Sequence, residues 1–156
     1  MPAEPPVGGA GSVALGNRAH FVIQATLRDV RDGLRDVMSC ALVQDLTEDC
    51  FGTTQLVLAE ALNNVVEHAY ASYPGQIEVD VQRDPLHLRF HITDTGLPMP
   101  GAEPPYGELP ELGDFDDLPE GGFGWFLIRT LVEDLSYRRE AGQNLLTFGV
   151  SVNNQV

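Results

Sequence analysis

The chain has 156 residues and no lysine; its nine basic residues are all arginine, set against 23 acidic ones, for a net charge of −14. Without lysine there is no phosphate loop of the G-x-x-x-x-G-K-[ST] kind. The shortage of cations excludes the basic footprint that nucleic acid or an anionic membrane surface requires. Nowhere do about 20 apolar residues run together, so no bilayer-spanning helix is expected. Residues 1–17 lack a basic leader and an apolar signal segment, and their Pro and Gly content reads as a flexible tail. Cysteine is scarce as well. Cys40 and Cys50 form neither a C-x-x-C pair nor a disulfide framework, and they read as reduced thiols in a cytoplasmic protein.

What is present suits a folded domain. Hydrophobic residues make up 43% and the mean hydropathy is −0.09, as for a soluble protein with a core of useful size, and residues 18–152 read as one domain. His20–Leu27 alternates like a first strand. Leu27–Leu42 has helical periodicity, with Arg28, Arg31 and Arg35 interleaved with Asp29, Asp32 and Asp36. That pattern fits a solvated face with i,i+3 and i,i+4 ion pairs, or a partner-docking face. Thr47–Ala71 is the longest helical signal, with a break or tilt near Gly52, a stripe of Leu58, Ala61, Leu62, Val65 and Ala69, and an end at Tyr73-Pro-Gly75. Gln76–Gln82 and Leu86–Thr93 alternate strictly around a short turn and read as a hairpin, with Leu86, Leu88, Phe90 and Ile92 inward. A helix from about Phe123 to Asp134 precedes a second hairpin, Leu135–Arg139 and Asn144–Val152, around Ala141-Gly142. The order predicts an α+β fold, a two-layer sandwich with helices on one face of a mostly antiparallel mixed sheet.

Between the hairpins, residues 97–121 carry six prolines and seven acidic residues and almost no periodicity. A loop this long inside a domain is usually a lid or a binding loop.

Three short stretches carry candidate chemistry. Glu60, Asn64 and His68 are spaced i, i+4, i+8 and share one helical ridge. An Asn oxygen there can ligate a hard cation such as Mg²⁺, and a carboxylate one turn away can orient or deprotonate a hydroxyl; the plain alternative is a solvated helix face. Asp94-Thr-Gly96 closes a strand, where a carboxylate can accept from a base amino group while glycine admits a flat ligand. An Asx turn is the plain alternative there. Glu120–Leu131 reads EGGFGWFLIRTL, with three glycines in front of an amphipathic run. Each glycine inside a helix costs roughly 1 kcal/mol against alanine, so the cluster suggests backbone N–H groups brought close to an anion, or a tight turn docking a helix on a sheet. A metal site from His68, His87 and His91 has no supporting ligand spacing.

In this order, EALNNVVEHA (60–69), DTG (94–96) and GGFG (121–124) resemble the three motif boxes of the GHKL, or Bergerat-fold, ATP-binding family, and most closely its short bacterial anti-sigma-factor serine/threonine kinases. The resemblance spans about residues 20–150. It implies ATP and Mg²⁺ as cofactors, Glu60 as catalytic carboxylate and Asn64 as Mg²⁺ ligand. It also implies Asp94 as reader of the adenine amino group with Gly96 beside it, Gly122 and Gly124 as backbone approach to the phosphates, and 97–121 as the ATP lid. The implied substrate is an anti-sigma-factor antagonist of the STAS type, with a sigma factor as a further partner and a homodimer left open. A rival reading is a nucleotide-dependent module that sequesters a sigma factor with little phosphotransfer. Pro98 departs from the pattern, where relatives often have a second glycine. Asn144 falls near a position where relatives often have a threonine supporting the adenine pocket; it stays outside the implied site, and His68 is expected to be packed or helix-terminal.

Overall fold

The computed structural model describes residues 12–104 and 122–152. Six strands form one sheet: β1 (Ser12–Leu15), β2 (Arg18–Gln24), β3 (Gln76–Arg83), β4 (His87–Asp94), β5 (Glu133–Glu140) and β6 (Gln143–Ser151). Their order across the sheet is β1-β2-β3-β4-β6-β5, and all five pairings are antiparallel. The mostly antiparallel sheet expected from the alternation therefore contains no parallel pair among the described residues. The expected tail through residue 17 is corrected at its end, because Ser12–Leu15 pairs with Arg18–Phe21.

Alternation decides the two faces. Ala19, Phe21 and Ile23 of β2, Ile77, Val79 and Val81 of β3, Leu88, Phe90 and Ile92 of β4, and Leu146, Phe148 and Val150 of β6 are all buried on one side. Phe90 and Phe148, opposite each other in the register, stack with ring centroids 5.3 Å apart. Leu86, expected inward, is 55% exposed, because β4 begins one residue later, at His87.

Three helices cover this face. In α1 (Leu27–Ser39), Val30, Val37 and Met38 turn inward, and Thr26 Oγ1 caps the first turn by accepting from the Asp29 N–H while its hydroxyl donates to the Asp29 carboxylate. Arg28, Arg31 and Arg35 are exposed, and among the described residues no ion pair joins them to the α1 aspartates; the expected i,i+3 and i,i+4 pairs do not form. Helix α2 (Glu48–Asn64) starts at the Thr47 cap and runs unbroken through Gly52. It buries Leu58, Ala61 and Leu62, then widens into a π-helical segment, Val65–Ala69. There the Tyr70 N–H reaches back five residues to the Val65 carbonyl. Single π-turns of this kind are often found at functional sites. Helix α3 (Gly122–Leu131) buries Trp125 and Ile128.

The expected β5–β6 hairpin turns at Ala141 (φ 50°) and Gly142 (φ 78°). Two consecutive left-handed residues match the right-handed twist of the strands, but alanine in that region is strained by about 1 kcal/mol. Replacing Ala141 with Asn, which tolerates that conformation, is expected to stabilise the protein by about 0.5–1 kcal/mol, read as a rise in the denaturant midpoint at unchanged slope.

Candidate nucleotide site

The sheet register sets the site's floor. The last inward row of the sheet reads Ile23, Ile77, Asp94, Asn144, Arg139 across β2, β3, β4, β6 and β5. Two apolar residues fill the half of the row under α1. The other half is polar, and Asp94 and Asn144 are 5% and 4% exposed. Above it lies a cavity of about 410 Å³ between the end of α2, the start of the 97–121 segment, α3 and the β5–β6 hairpin. Asn64, His68, Asp94, Leu97, Met99, Trp125, Tyr137 and Leu146 are among its lining residues. Such a mostly apolar pocket with a few convergent polar groups is the usual form of a small-molecule site.

Asp94 is its focal carboxylate. Oδ1 accepts from the Gly96 N–H at 2.8 Å and from Asn144 Nδ2 at 2.8 Å. The Asx turn weighed as the plain alternative therefore exists, and it leaves Oδ2 for a ligand. Burial pushes the carboxyl pKa above its ordinary value of 3.8, opposed by the Asn144 and Gly96 hydrogen bonds and the Arg139 charge.

Glycine at 96 follows from close packing. Leu97 N–H donates to the Ala69 carbonyl at the end of the π-segment, at 2.8 Å, and a side chain on Gly96 would collide with that same carbonyl oxygen. Tyr70, on the turn after the π-segment, donates to the Gln76 carbonyl at 2.7 Å and accepts from the Thr95 N–H at 2.9 Å. Residues 95–97 are thus pinned against the end of the second helical run.

Asn64 lines the cavity and is 8% exposed, and its Nδ2 is a buried polar atom without a hydrogen-bond partner. An orphaned buried amide is costly unless a ligand completes it, and rotation of the amide presents either nitrogen or oxygen. Glu60, one turn earlier, is half-buried and absent from the residues that line the cavity. Its carboxylate lies against Gly124, where any Cβ would collide with Oε2. The structure therefore brings Asn64 and Asp94 to one cavity, holds Gly96 behind it on Asp94 Oδ1 and the Ala69 carbonyl, and sets Glu60 against Gly124 in the first turn of α3, the helix that Gly122 opens. The remaining site expectation, the lid, lies for residues 105–121 outside the described residues.

His68 is exposed at the cavity edge in the last turn of the π-segment, so it is helix-terminal rather than packed. Among the described residues no group of three or more His, Cys, Asp or Glu side chains could hold a metal ion. Cys40 and Cys50 are free, and burial raises both thiol pKa values. No described helix is long and apolar enough to cross a membrane.

Sequence reasoning left out Asn144, Tyr137 and Arg139. Tyr137 O–H and Arg139 Nη1 donate to Asn144 Oδ1 at 2.5 and 3.0 Å. The available signal was alternation itself. Asn144, Leu146, Phe148 and Val150 share one strand face, so alternation puts a polar residue at an inward position.

Residues 23–150 match the model of the histidine kinase-like ATPase domain. The chain is 34% identical over 99 residues to serine/threonine-protein kinase BtrW of Bordetella bronchiseptica, covering 61% of this chain and 66% of that protein. It is 27% identical over 94 residues to serine-protein kinase RsbW of Bacillus thuringiensis, covering 59% of each. The matched segment thus spans less than two thirds of either curated relative. Among solved structures, histidine kinase AdeS of Acinetobacter baumannii superposes with a TM-score of 0.44 at 12% identity, covering 86% of this chain and 68% of that one. The family matched is the one the three motifs resemble.

The raised pKa of Asp94 fixes the sign of a pH effect. Its carboxyl holds a proton more tightly in the folded chain, so the wild type loses stability as pH rises from about 3.8 through the folded pKa, and no more above it. Asp94→Asn keeps the acceptor for Gly96 and Asn144 but cannot ionise. Its melting temperature is expected to exceed that of the wild type at pH 7, with the difference vanishing below about pH 3.8. Thermal unfolding of both proteins across that range checks it; a difference independent of pH would contradict the desolvation account.

Proposed function

We propose that this chain, which belongs to the histidine kinase-like ATPase domain family, is an ATP- and Mg²⁺-dependent serine/threonine-protein kinase of the anti-sigma type, acting on a STAS-type anti-sigma-factor antagonist. The observation that carries the nucleotide part is the pairing of two incomplete polar groups on one apolar cavity. Asp94 keeps one carboxylate oxygen free after the other has taken two donors, and Asn64 has a buried amide nitrogen without a partner. A purine with an exocyclic amino group answers the first, and an acceptor such as a phosphate oxygen or a metal-bound water answers the second. The donor set fits these cofactors. The substrate class rests on the names of the two kinase relatives and on the motif resemblance.

When bound, ATP supplies the transferable phosphoryl group and Mg²⁺ the counter-charge. The chain's own part is positioning, which is most of what such transfer needs. Asp94 Oδ2 accepts from the base amino group. Asn64 holds Mg²⁺ through its amide oxygen. The opening turn of α3, with Gly122 and Gly124, offers N–H groups without side chains in the way. Glu60 takes or orients the seryl proton of the substrate.

One observation favours a second reading. Glu60 packs against Gly124 and does not line the cavity, an arrangement that suits a nucleotide-dependent module sequestering a sigma factor with little phosphotransfer.

Labelled ATP with purified STAS-type antagonists separates the two. In the kinase reading, label moves to a serine or threonine of the antagonist. Glu60→Gln is expected to slow that transfer by about 10²–10⁴-fold while ATP affinity stays within about twofold of the wild type. Asn64→Ala is expected to lose the Mg²⁺-dependent part of the affinity as well. Normal transfer by Glu60→Gln would remove Glu60 from catalysis, and tight ATP binding without any transfer would favour the sequestering module.

A further inference from the structure

Two donors converge on one oxygen beside the cavity. The Tyr137 hydroxyl and the Arg139 guanidinium both point at Asn144 Oδ1, at 2.5 and 3.0 Å. A guanidinium has no acceptor, so Arg139 can face only the oxygen of the amide. The amide nitrogen is thereby turned toward Asp94 Oδ1 and the Leu97 carbonyl, each at 2.8 Å. Both of its hydrogens are used, and Asn144 has nothing left to offer a ligand directly.

We infer that Asn144, locked by Tyr137 and Arg139, is a positioning residue that sets the purine preference of the pocket and ties it to the lid root. The inference rests on the nucleotide reading. With Asn144 and the Gly96 N–H both on Oδ1, the Asp94 carboxylate cannot rotate freely, and Oδ2 is held as a lone acceptor. An isolated acceptor takes a 6-amino purine and opposes a 6-oxo purine, whose oxygen would meet the carboxylate without a proton between them. The same cluster grips the chain that leads into the lid. Arg139 donates to the Gly96 carbonyl at 2.6 Å, and the Met99 N–H donates to the Tyr137 hydroxyl at 2.9 Å. Movement of residues 96–99 therefore pulls on the groups that aim the base-reading oxygen.

The chain's single tryptophan, Trp125, lines the cavity, and its fluorescence can report binding. Three titrations in Mg²⁺ buffer are compared: ATP, GTP, and purine riboside triphosphate, which lacks the 6-amino group. The wild type is expected to prefer ATP over the amino-free analogue by about tenfold, the worth of one hydrogen bond to a charged acceptor. In Asn144→Ala that ratio is expected to fall to about one, and in Tyr137→Phe by about threefold, because the amide then keeps only one of its two locks. Tyr137→Phe removes a single oxygen from a half-exposed edge strand, so it keeps the test decisive if Asn144→Ala does not fold. If both variants weaken all three nucleotides alike and keep the wild-type ratio, the cluster is only a brace for the sheet and the inference is overturned. If the wild type binds none of the three, the nucleotide reading itself falls and takes the inference with it. If the wild type binds ATP but shows no preference over the amino-free analogue, only the inference falls.

Discussion

The hydrogen bond from Asn144 Nδ2 to Asp94 Oδ1 joins β4 to β6 across 50 residues of chain, at a point where the inward face of the sheet turns from apolar to polar. A carboxylate 5% exposed is tolerable only when its lone pairs are met. Asp94 meets that condition for Oδ1, which takes two donors from its own fold, and leaves Oδ2 for a ligand. Gly96, Leu97 and Met99 are placed by the same few groups, so the Asp94 carboxylate and residues 96–99 form one hydrogen-bonded unit.

A backbone constraint works from the opposite side. The π-segment Val65–Ala69 adds a residue to a turn of the helix and carries the Ala69 carbonyl to the lid root, where Leu97 N–H binds it. Contact that close excludes a side chain at 96. Asn64 sits at the junction between the α and π segments, so the widened turn and the orphaned amide belong to one local feature. Gly124 plays a matching part against Glu60 at the start of α3. At 96 a glycine is required by the neighbouring backbone, not by an unusual backbone angle of its own, whereas a Cβ at 124 would displace the end of the Glu60 side chain.

Charge sets a further limit. With a net charge of −14 and no lysine, the chain has little to offer an anion by side chains, and the residues lining the cavity include neither arginine nor lysine. Beside the cavity, Arg139 donates to the Asn144 amide oxygen and the Gly96 carbonyl. Gly122 and Gly124 stand in the first turn of α3 at some cost in helix propensity, and bare N–H groups at a helix start are what a chain so poor in cations can offer an anion.

Much of this was legible in the sequence because period and chemistry are local. Strict alternation at Gln76–Gln82 and Leu86–Thr93 marked β3 and β4, the Leu58–Ala69 stripe marked the second helical run, and the three motif boxes named the family. Alternation alone also carried Asp94 to the inward face, as the next step after Leu88, Phe90 and Ile92. Local pattern could not supply partners. Whether the α1 arginines pair with their neighbours depends on side-chain geometry, and they do not. Whether residues 12–15 belong to the sheet depends on β2 lying beside them, and it does. The widening of the helix at Val65 has no periodic signature short enough to read. The resemblance brought Asn144 near a pocket-supporting position but left it outside the implied site. Only the antiparallel register of β4, β6 and β5, which sets Asp94, Asn144 and Arg139 side by side, decided that it would orient the carboxylate of the site, because hydrogen bonds between residues 50 positions apart exist only once the sheet has brought them within 3 Å.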